Sequence, residues 1–306
     1  MIKSITVTNY LGDSIKLELA RPELSGFAVL SVSGLGPGKA EINISESALQ
    51  DGGQHTSSRL PARNILLNLM YLWEHGIEEA RHRSYKYFPL KKPITLVFET
   101  DTREASITGI VESNEPTIFS SVECTSISIL CPDPHFYATA SGGVKTVVFS
   151  GITPKFEFPF SNESTNESLL EISTIENRIA ANVFYEGDSE IGVTITIHAK
   201  GAVGDITIAN VNTNETMKIL DSKIMEVTGG VVGLTTADDL VICTVNRKKS
   251  AYLIRNGVRY NVINSIDRNS NWFKLSMGDN AFAYSTTENS NNLQFKMEYQ
   301  VMYEGV

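Results

Sequence analysis

The sequence lacks the features of a secreted or membrane-spanning protein. It contains only three cysteines, at positions 124, 131 and 243, and so small and odd a set is typical of a protein made in a reducing cytoplasm. No run of 18 apolar residues occurs, which excludes a transmembrane helix. The segment Met1–Ser14 has neither an apolar core nor a small-residue cleavage site, so we expect no signal peptide.

An excess of basic residues is also missing. The chain has 26 basic and 35 acidic residues, a net charge of −9, without a basic tail or arm. Phosphate backbones need clustered Lys and Arg, so we expect no contact with nucleic acid. A hydrophobic content of 42% is globular, and a length of 306 residues favours two domains.

Metal-binding motifs are absent as well. The five histidines form neither HxH nor HExxH. His75 and Glu79 have helical i, i+4 spacing, as do Glu78 and His82, but no third ligand follows either pair. Cys124 and Cys131 do not form C-x-x-C. We predict no metal site and no cofactor.

Catalytic motifs are equally absent. The glycine-rich segment 33–41 resembles a phosphate-binding loop, but its Lys39 is followed by Ala40 and a strand, so we predict a glycine-rich turn. The adjacent carboxylates Asp238/Asp239 and Glu78/Glu79 point apart on any regular element, and we interpret both pairs as solvated. The chain is therefore predicted not to be an enzyme.

Short runs of alternating apolar and polar residues dominate the chain. Bounded by Gly, Pro, Asn and Asp, such runs are typical of antiparallel strands. In the first half they include SIKLEL, EINIS, NILLNLMYL, ITLVF, ASITGIV and SISIL, which predicts about seven strands. The second half holds about ten more without a helical period, a pattern typical of a two-sheet sandwich or jelly roll.

One segment, residues 76–89, breaks this alternation and predicts a short helix. Glutamates at its start and Arg81, Arg83 and Lys86 towards its end match the helix dipole. Pro89 stops it. The side chains that share its apolar side are Ile77, Ala80, Ser84 and Phe88.

Two segments leave alternatives open. The long polar stretch Ser45–Arg63 is either a surface loop or extended hairpin, or an arm that orders against a neighbouring subunit. The sequence CPDPHFY at Cys131–Tyr137 is either a site or a stiff spacer. Pro132 and Pro134 remove two backbone donors and favour the spacer, with Phe136 and Tyr137 packed on a domain surface.

The tryptophan at position 272 also has two interpretations. Trp272 and Phe273 are adjacent, so one of them faces outward if they lie on a strand. An exposed Trp272 would suit stacking on carbohydrate, whereas a half-buried core tryptophan is the interpretation we favour.

Several long segments, taken together and in order, resemble phage distal tail proteins, the siphophage tail-component family. In the first half these are residues 34–69, 77–120 and 127–138, including the Cys-Pro-Asp-Pro-x-Phe-Tyr exit. In the second half residues 238–284 resemble the end of the same family's C-terminal domain. The resemblance is weakest over residues 141–232.

The resemblance implies a fold, an assembly and a location. Residues 1–138 would form a belt domain, a split β-barrel with one short helix, and residues 139–306 a galectin-like β-sandwich. Six belt domains would close into a ring, alone or as two stacked rings. The ring would join the tail tube protein to the tail-associated hub protein at the virion tail tip and, in some phages, carry receptor-binding proteins. The protein would be synthesised in the bacterial host cytoplasm.

The resemblance does not itself identify the interface residues. A ring of identical subunits joins unlike surfaces of neighbours, and we expect the Ser45–Arg63 segment to supply this contact. Arg59, Arg63, Arg81 and Arg83 are the candidates for charged contacts. The alternative function is a carbohydrate-binding adhesin module of a phage baseplate or tail-like bacteriocin, with Trp272 as the carbohydrate contact. An integrated prophage is as good a source as an active phage.

Overall fold

A computed structural model describes residues 1–46, 51–72, 76–120, 122–139, 143–154, 173–177, 180–230 and 233–306. The chain divides into two compact units. The first is Met1–Gly143 with Met302–Val306, and the second is Val144–Val301. The predicted domains, residues 1–138 and 139–306, with their belt and galectin-like identities, stay a prediction.

The described elements are mainly strands. Those of the first unit are β1 Ile2–Thr8, β2 Ser14–Glu18, β3 Phe27–Ser33, β4 Glu41–Glu46, β5 Gly53–Arg59, β6 Arg63–Tyr71, β7 Pro93–Thr100, β8 Glu104–Pro116, β9 Cys124–Cys131, β10 Phe136–Ala138 and, at the C-terminus, β25 Met302–Tyr303. Those of the second unit are β11 Val144–Val148, β12 Ser150–Pro154, β13 Ser173–Asn177, β14 Ala180–Tyr185, β15 Ile191–Gly192, β16 Thr194–Ala199, β17 Ile206–Asn210, β18 Glu215–Ile219, β19 Asp239–Cys243, β20 Ser250–Arg255, β21 Val258–Asn261, β22 Lys274–Leu275, β23 Gly278–Thr286 and β24 Leu293–Gln300. The helices are α1 Ile77–Tyr87 and α2 Asp221–Thr228.

The first unit is built on one antiparallel sheet. Its strand order is β2-β1-β7-β8-β9-β6-β3, and the short strand β10 pairs with both β8 and β25. Alternate residues of β6, among them Ile65, Leu67 and Leu69, are buried, while Asn64 and Leu66 between them are exposed. The period-two pattern of the sequence therefore places one face of the sheet in the core.

Helix α1 confirms the helix predicted in the first half. Ala80, Ser84 and Phe88 are buried, and Ile77 is half-buried. The Ser84 hydroxyl lies 3.3 Å from the hydroxyl of Tyr71 on β6, so the predicted apolar side of the helix faces the sheet.

The second unit has two principal sheets. Their strand orders are β11-β24-β16-β19-β20-β21 and β14-β23-β17-β18. The Tyr284 ring of β23 stacks on the Phe295 ring of β24 with centroids 4.0 Å apart, so aromatic side chains from both sheets meet in one core. The mainly β prediction is confirmed, whereas the split-barrel and galectin-like details stay predictions.

The second half also contains a helix, which the sequence analysis missed. Helix α2 has Asp221 in its first turn, a buried Ile224, and Gly229 as a left-handed cap with φ 80°. The acid at the start and the glycine after the end are ordinary helix signals, but only two turns separate them. None of the helices in the described parts of the chain is long and apolar enough to cross a membrane.

The interpretation of Asp238 as solvated was wrong. Its side chain is buried and forms an ion pair with Arg255 at 2.6 Å. Asp239, the next residue, is half-exposed and pairs with His198 at 2.7 Å. The two adjacent carboxylates do point apart, but Asp238, which immediately precedes β19, points into the core. Glu78 and Glu79 are exposed, as predicted.

Candidate assembly interface

Strands β4 and β5 form a hairpin that pairs with no other strand of the described chain. Every described residue of the two strands is exposed. The turn is favoured by Gly52, which has φ 87°, a conformation that glycine adopts without strain. The residues of the segment Ser45–Arg63 that lie on β4 and β5 thus belong to an extended hairpin, whereas Arg63 begins β6, and residues 47–50 lie outside the described chain. Its contact with a neighbouring subunit stays a prediction.

The exposed hairpin carries apolar side chains that its own unit leaves uncovered. Ile42 and Ile44 are each 60% exposed, and because they are two positions apart on β4 they share a face. Leu30, on the preceding strand β3, is 55% exposed. Since β3 is an edge strand of the main sheet, its free backbone groups are open to pairing with another chain.

A second apolar surface lies on the outer face of the same sheet. Ile110 on β8 is directly paired with Leu130 on β9, and both are about two-fifths exposed. Leu66 on β6 is also exposed. Apolar residues scattered singly on a surface are normal, but a cross-strand pair of this kind is a candidate contact.

The predicted interface arginines lie in different environments. Arg59 is on the exposed hairpin and pairs with Glu41 at 2.7 Å. Arg81 is held by Glu123 at 2.8 Å. The Arg83 guanidinium lies 5.8 Å from the centre of the Phe27 ring. The role of these residues in contacts between subunits stays a prediction.

Arg63 makes its contacts inside its own unit. Its guanidinium donates to the carbonyl oxygens of Gly34 at 2.8 Å, Gly36 at 2.6 Å and Glu304 at 2.7 Å. It also lies 4.7 Å from the centre of the Phe136 ring. Burial lowers the pKa of Arg63 from its ordinary value, but the group stays charged. The predicted glycine-rich turn at residues 33–41 is therefore fixed by this arginine.

The Cys131–Tyr137 segment packs against its own unit, the first. Phe136 is fully buried, as expected, and meets Phe98 edge-on with centroids 5.9 Å apart. Asp133 accepts hydrogen bonds from the ring of His135 and the hydroxyl of Tyr137. Burial opposes the ionisation of Asp133, but these hydrogen bonds outweigh it and lower its pKa to about 2.

Metal-binding groups do not gather in the described part of the chain, where no three His, Cys, Asp or Glu side chains are placed to hold an ion. His75 lies outside the described residues, so the His75–Glu79 pair has no structural counterpart here. Burial raises the pKa of the Cys131 thiol to about 11, which makes this cysteine an inert core residue.

Trp272 is half-buried, and Phe273 beside it is fully buried. The Nζ atom of Lys249 lies 5.3 Å from the centre of the Trp272 ring. One of the two adjacent aromatics therefore faces outward, as expected. A carbohydrate contact at Trp272 stays a prediction.

Comparisons with known proteins give matches at the level of structure alone. No family model matches the chain, and no curated protein matches it with significance. Among solved structures, the chain shares its fold with a hub component of a phage adsorption apparatus. That component is the SPP1 Dit (gp 19.1) protein, with a TM-score of 0.61 and 13% identity over 97% of this chain and 98% of the other.

A weaker likeness is to the phage P2 baseplate in its activated conformation with Ca, with a TM-score of 0.42 and 11% identity over 98% of this chain. Of these two likenesses, the one to the Dit protein carries an argument, and it concerns the fold. The likeness of fold to a phage tail hub protein, which the sequence segments predicted, is confirmed, while the split-barrel and galectin-like details stay predictions.

Proposed function

We propose that the chain is a structural component of a phage tail tip, a distal tail protein that forms a ring hub between the tail tube and the host-attachment apparatus. One observation carries this proposal. The chain shares its fold, across both units and nearly the full length of both proteins, with a protein described as a paradigm of the hub adsorption apparatus in phages that infect Gram-positive bacteria. A structural role fits this better than catalysis.

The first unit is the ring-forming part in this proposal. Six copies close by a heterologous contact, in which one surface of a subunit meets a different surface of the next. The exposed hairpin with Ile42, Ile44 and Arg59 supplies one side. The tail tube protein, the tail-associated hub protein and a receptor-binding protein are the proposed partners, and the virion tail tip is the proposed location.

The mass of the purified protein in solution tests ring formation. We expect light scattering after size exclusion to give six or twelve chains of 33.6 kDa each. Negative-stain images of the same peak should show rings with a central hole. A clean monomer would contradict a ring that closes without partners.

Replacing both hairpin isoleucines tests the contact itself. Rings of the Ile42→Ser/Ile44→Ser variant should dissociate at protein concentrations at least about tenfold higher than those at which wild-type rings dissociate. The reason is that buried apolar anchors contribute most of an interface's affinity. Both side chains are exposed in the single chain, so the melting temperature of the monomer should not fall.

The matched control is Leu11→Ser/Leu90→Ser, which removes two apolar side chains that are also exposed in the first unit. These rings should persist. A deletion of Gln50–Ser58 should act like the isoleucine variant. Intact rings in the isoleucine and deletion variants would exclude the hairpin as the contact.

A further inference from the structure

We propose that the second unit binds an anionic glycan, a sugar or polyol polymer that carries phosphate or carboxylate groups, in a groove beside strands β20 and β21. The groove has a volume of about 360 Å³, which is large enough for one or two sugar rings. Lys249, Ser250, Tyr252, Arg259 and Asn261 line it. We call it the basic groove. This inference does not depend on ring formation.

Two cations of the basic groove are held on aromatic rings. The Arg259 guanidinium lies 3.7 Å from the centre of the Tyr252 ring, and the Lys249 Nζ atom lies 5.3 Å from that of Trp272. A cation over an aromatic face is attracted by the ring's electrons. Both cationic groups are therefore oriented before a ligand arrives, which reduces the entropy lost on binding.

Neither cation is neutralised by a carboxylate in the described parts of the chain. Across the described residues no carboxylate lies within 4.0 Å of Lys249 or Arg259, whereas Lys218, Lys223 and Lys274 of the same unit all have such partners. Arg247 and Lys248 precede Lys249 in the turn after β19. A concentration of positive charge in a chain of net charge −9 favours an anionic ligand at this place.

The polar side chains of the groove favour hydroxyl groups on the same ligand. Asn261 lies directly opposite Tyr252 across β20 and β21, and Ser250 is two residues from Tyr252 on β20. An amide and a hydroxyl each donate and accept hydrogen bonds, as neighbouring hydroxyls of a sugar require.

Calorimetric titration of the full chain tests the proposal with four probes. These are a glycerol phosphate oligomer, an oligogalacturonate, a neutral dextran oligosaccharide and an oligoglutamate. We expect one or both anionic glycans to bind, more weakly as salt is raised, and the neutral dextran not to bind. If only one of the two anionic glycans binds, its charged group identifies the preferred anion as phosphate or carboxylate. Binding of either glycan, or of both, supports the proposal.

The variant Lys249→Gln/Arg259→Gln should weaken this binding by about tenfold or more for each cation lost. Both residues are exposed, and an unchanged melting temperature would show that the fold is retained. The control Lys3→Gln/Lys223→Gln has the same net charge and removes one exposed and one half-exposed lysine elsewhere, so its affinity should equal that of wild type.

Three results would overturn the proposal. They are no binding of either anionic glycan at millimolar concentration, equal binding by the Lys249→Gln/Arg259→Gln variant, and tighter binding of oligoglutamate than of both glycans. The last would identify the groove as a peptide site. The mass measurement is independent of these titrations, so failure of the ring proposal and failure of the groove proposal are distinguishable.

Discussion

Replacing Asp238 by asparagine is expected to destabilise the second unit by about 3–5 kcal/mol. The Asp238 carboxylate accepts hydrogen bonds from Nε and Nη2 of Arg255 and from the backbone N–H and hydroxyl of Thr235. Asparagine removes the negative charge and leaves the largely buried Arg255 guanidinium without a counter-charge. Denaturant unfolding followed by Trp272 fluorescence, in a Trp73→Phe background, measures the loss.

The neighbouring residue provides the control. Asp239→Asn is the same substitution at the next residue, the first of β19, but the Asp239 side chain is 40% exposed. An ion pair of this exposure contributes about 1 kcal/mol or less. Equal losses for the two variants would mean that burial of the Asp238–Arg255 pair is not the cause.

The structure also predicts how the stability difference between wild type and Asp238→Asn depends on pH. Burial opposes ionisation of Asp238, but the hydrogen bonds from Arg255 and Thr235 outweigh it and hold its pKa below the ordinary 3.8. Because the folded-state pKa is lowered, the stabilisation is present above the ordinary value and is lost as the pH falls through the folded-state pKa. The gap between wild type and Asp238→Asn should be constant near neutral pH and shrink below about pH 4.

Local patterns in the sequence predicted the strands well because burial follows the period of the element. In SIKLEL, Ile15 and Leu17 are buried on β2, as their alternation predicts. Leu19 continues the same pattern, yet the strand ends at Glu18 and Leu19 is 41% exposed. Alternation identifies the face of a strand, but the end of a strand depends on where its neighbour stops.

Interactions between distant residues were beyond the same reasoning. Asp238 and Arg255 are 17 positions apart, and only the pairing of β19 with β20 brings their side chains together. Likewise, no sequence motif links Lys249 with Trp272. The turn after β19 lies beside the segment that precedes β22, and no spacing rule in the sequence expresses that.

Removing the last five residues, Met302–Val306, is expected to destabilise the first unit by roughly 5 kcal/mol, since two buried side chains and several hydrogen bonds are lost. Met302 and Tyr303 are buried and pair with β10. The Glu304 carbonyl accepts a hydrogen bond from Arg63. The C-terminal end of the chain thus contributes a strand to the unit that the N-terminal part begins, although the sequence alone placed residues 139–306 in one domain.

The buried thiol of Cys131 reports this loss directly. Cys131 lies in the first unit and is inaccessible when that unit is folded, so pulse alkylation at increasing denaturant, read on its peptide by mass spectrometry, measures unfolding of that unit. Removing only residues 305–306 is the control. It keeps β25, and the main-chain carbonyl of Glu304 becomes a C-terminal carboxylate that can still accept from Arg63. If both truncations expose Cys131 at the same denaturant concentration, strand β25 is not what stabilises the first unit. If the longer truncation exposes Cys131 at a lower denaturant concentration than the control does, a fragment that ends at residue 138 should be unstable unless Met302–Val306 is supplied with it.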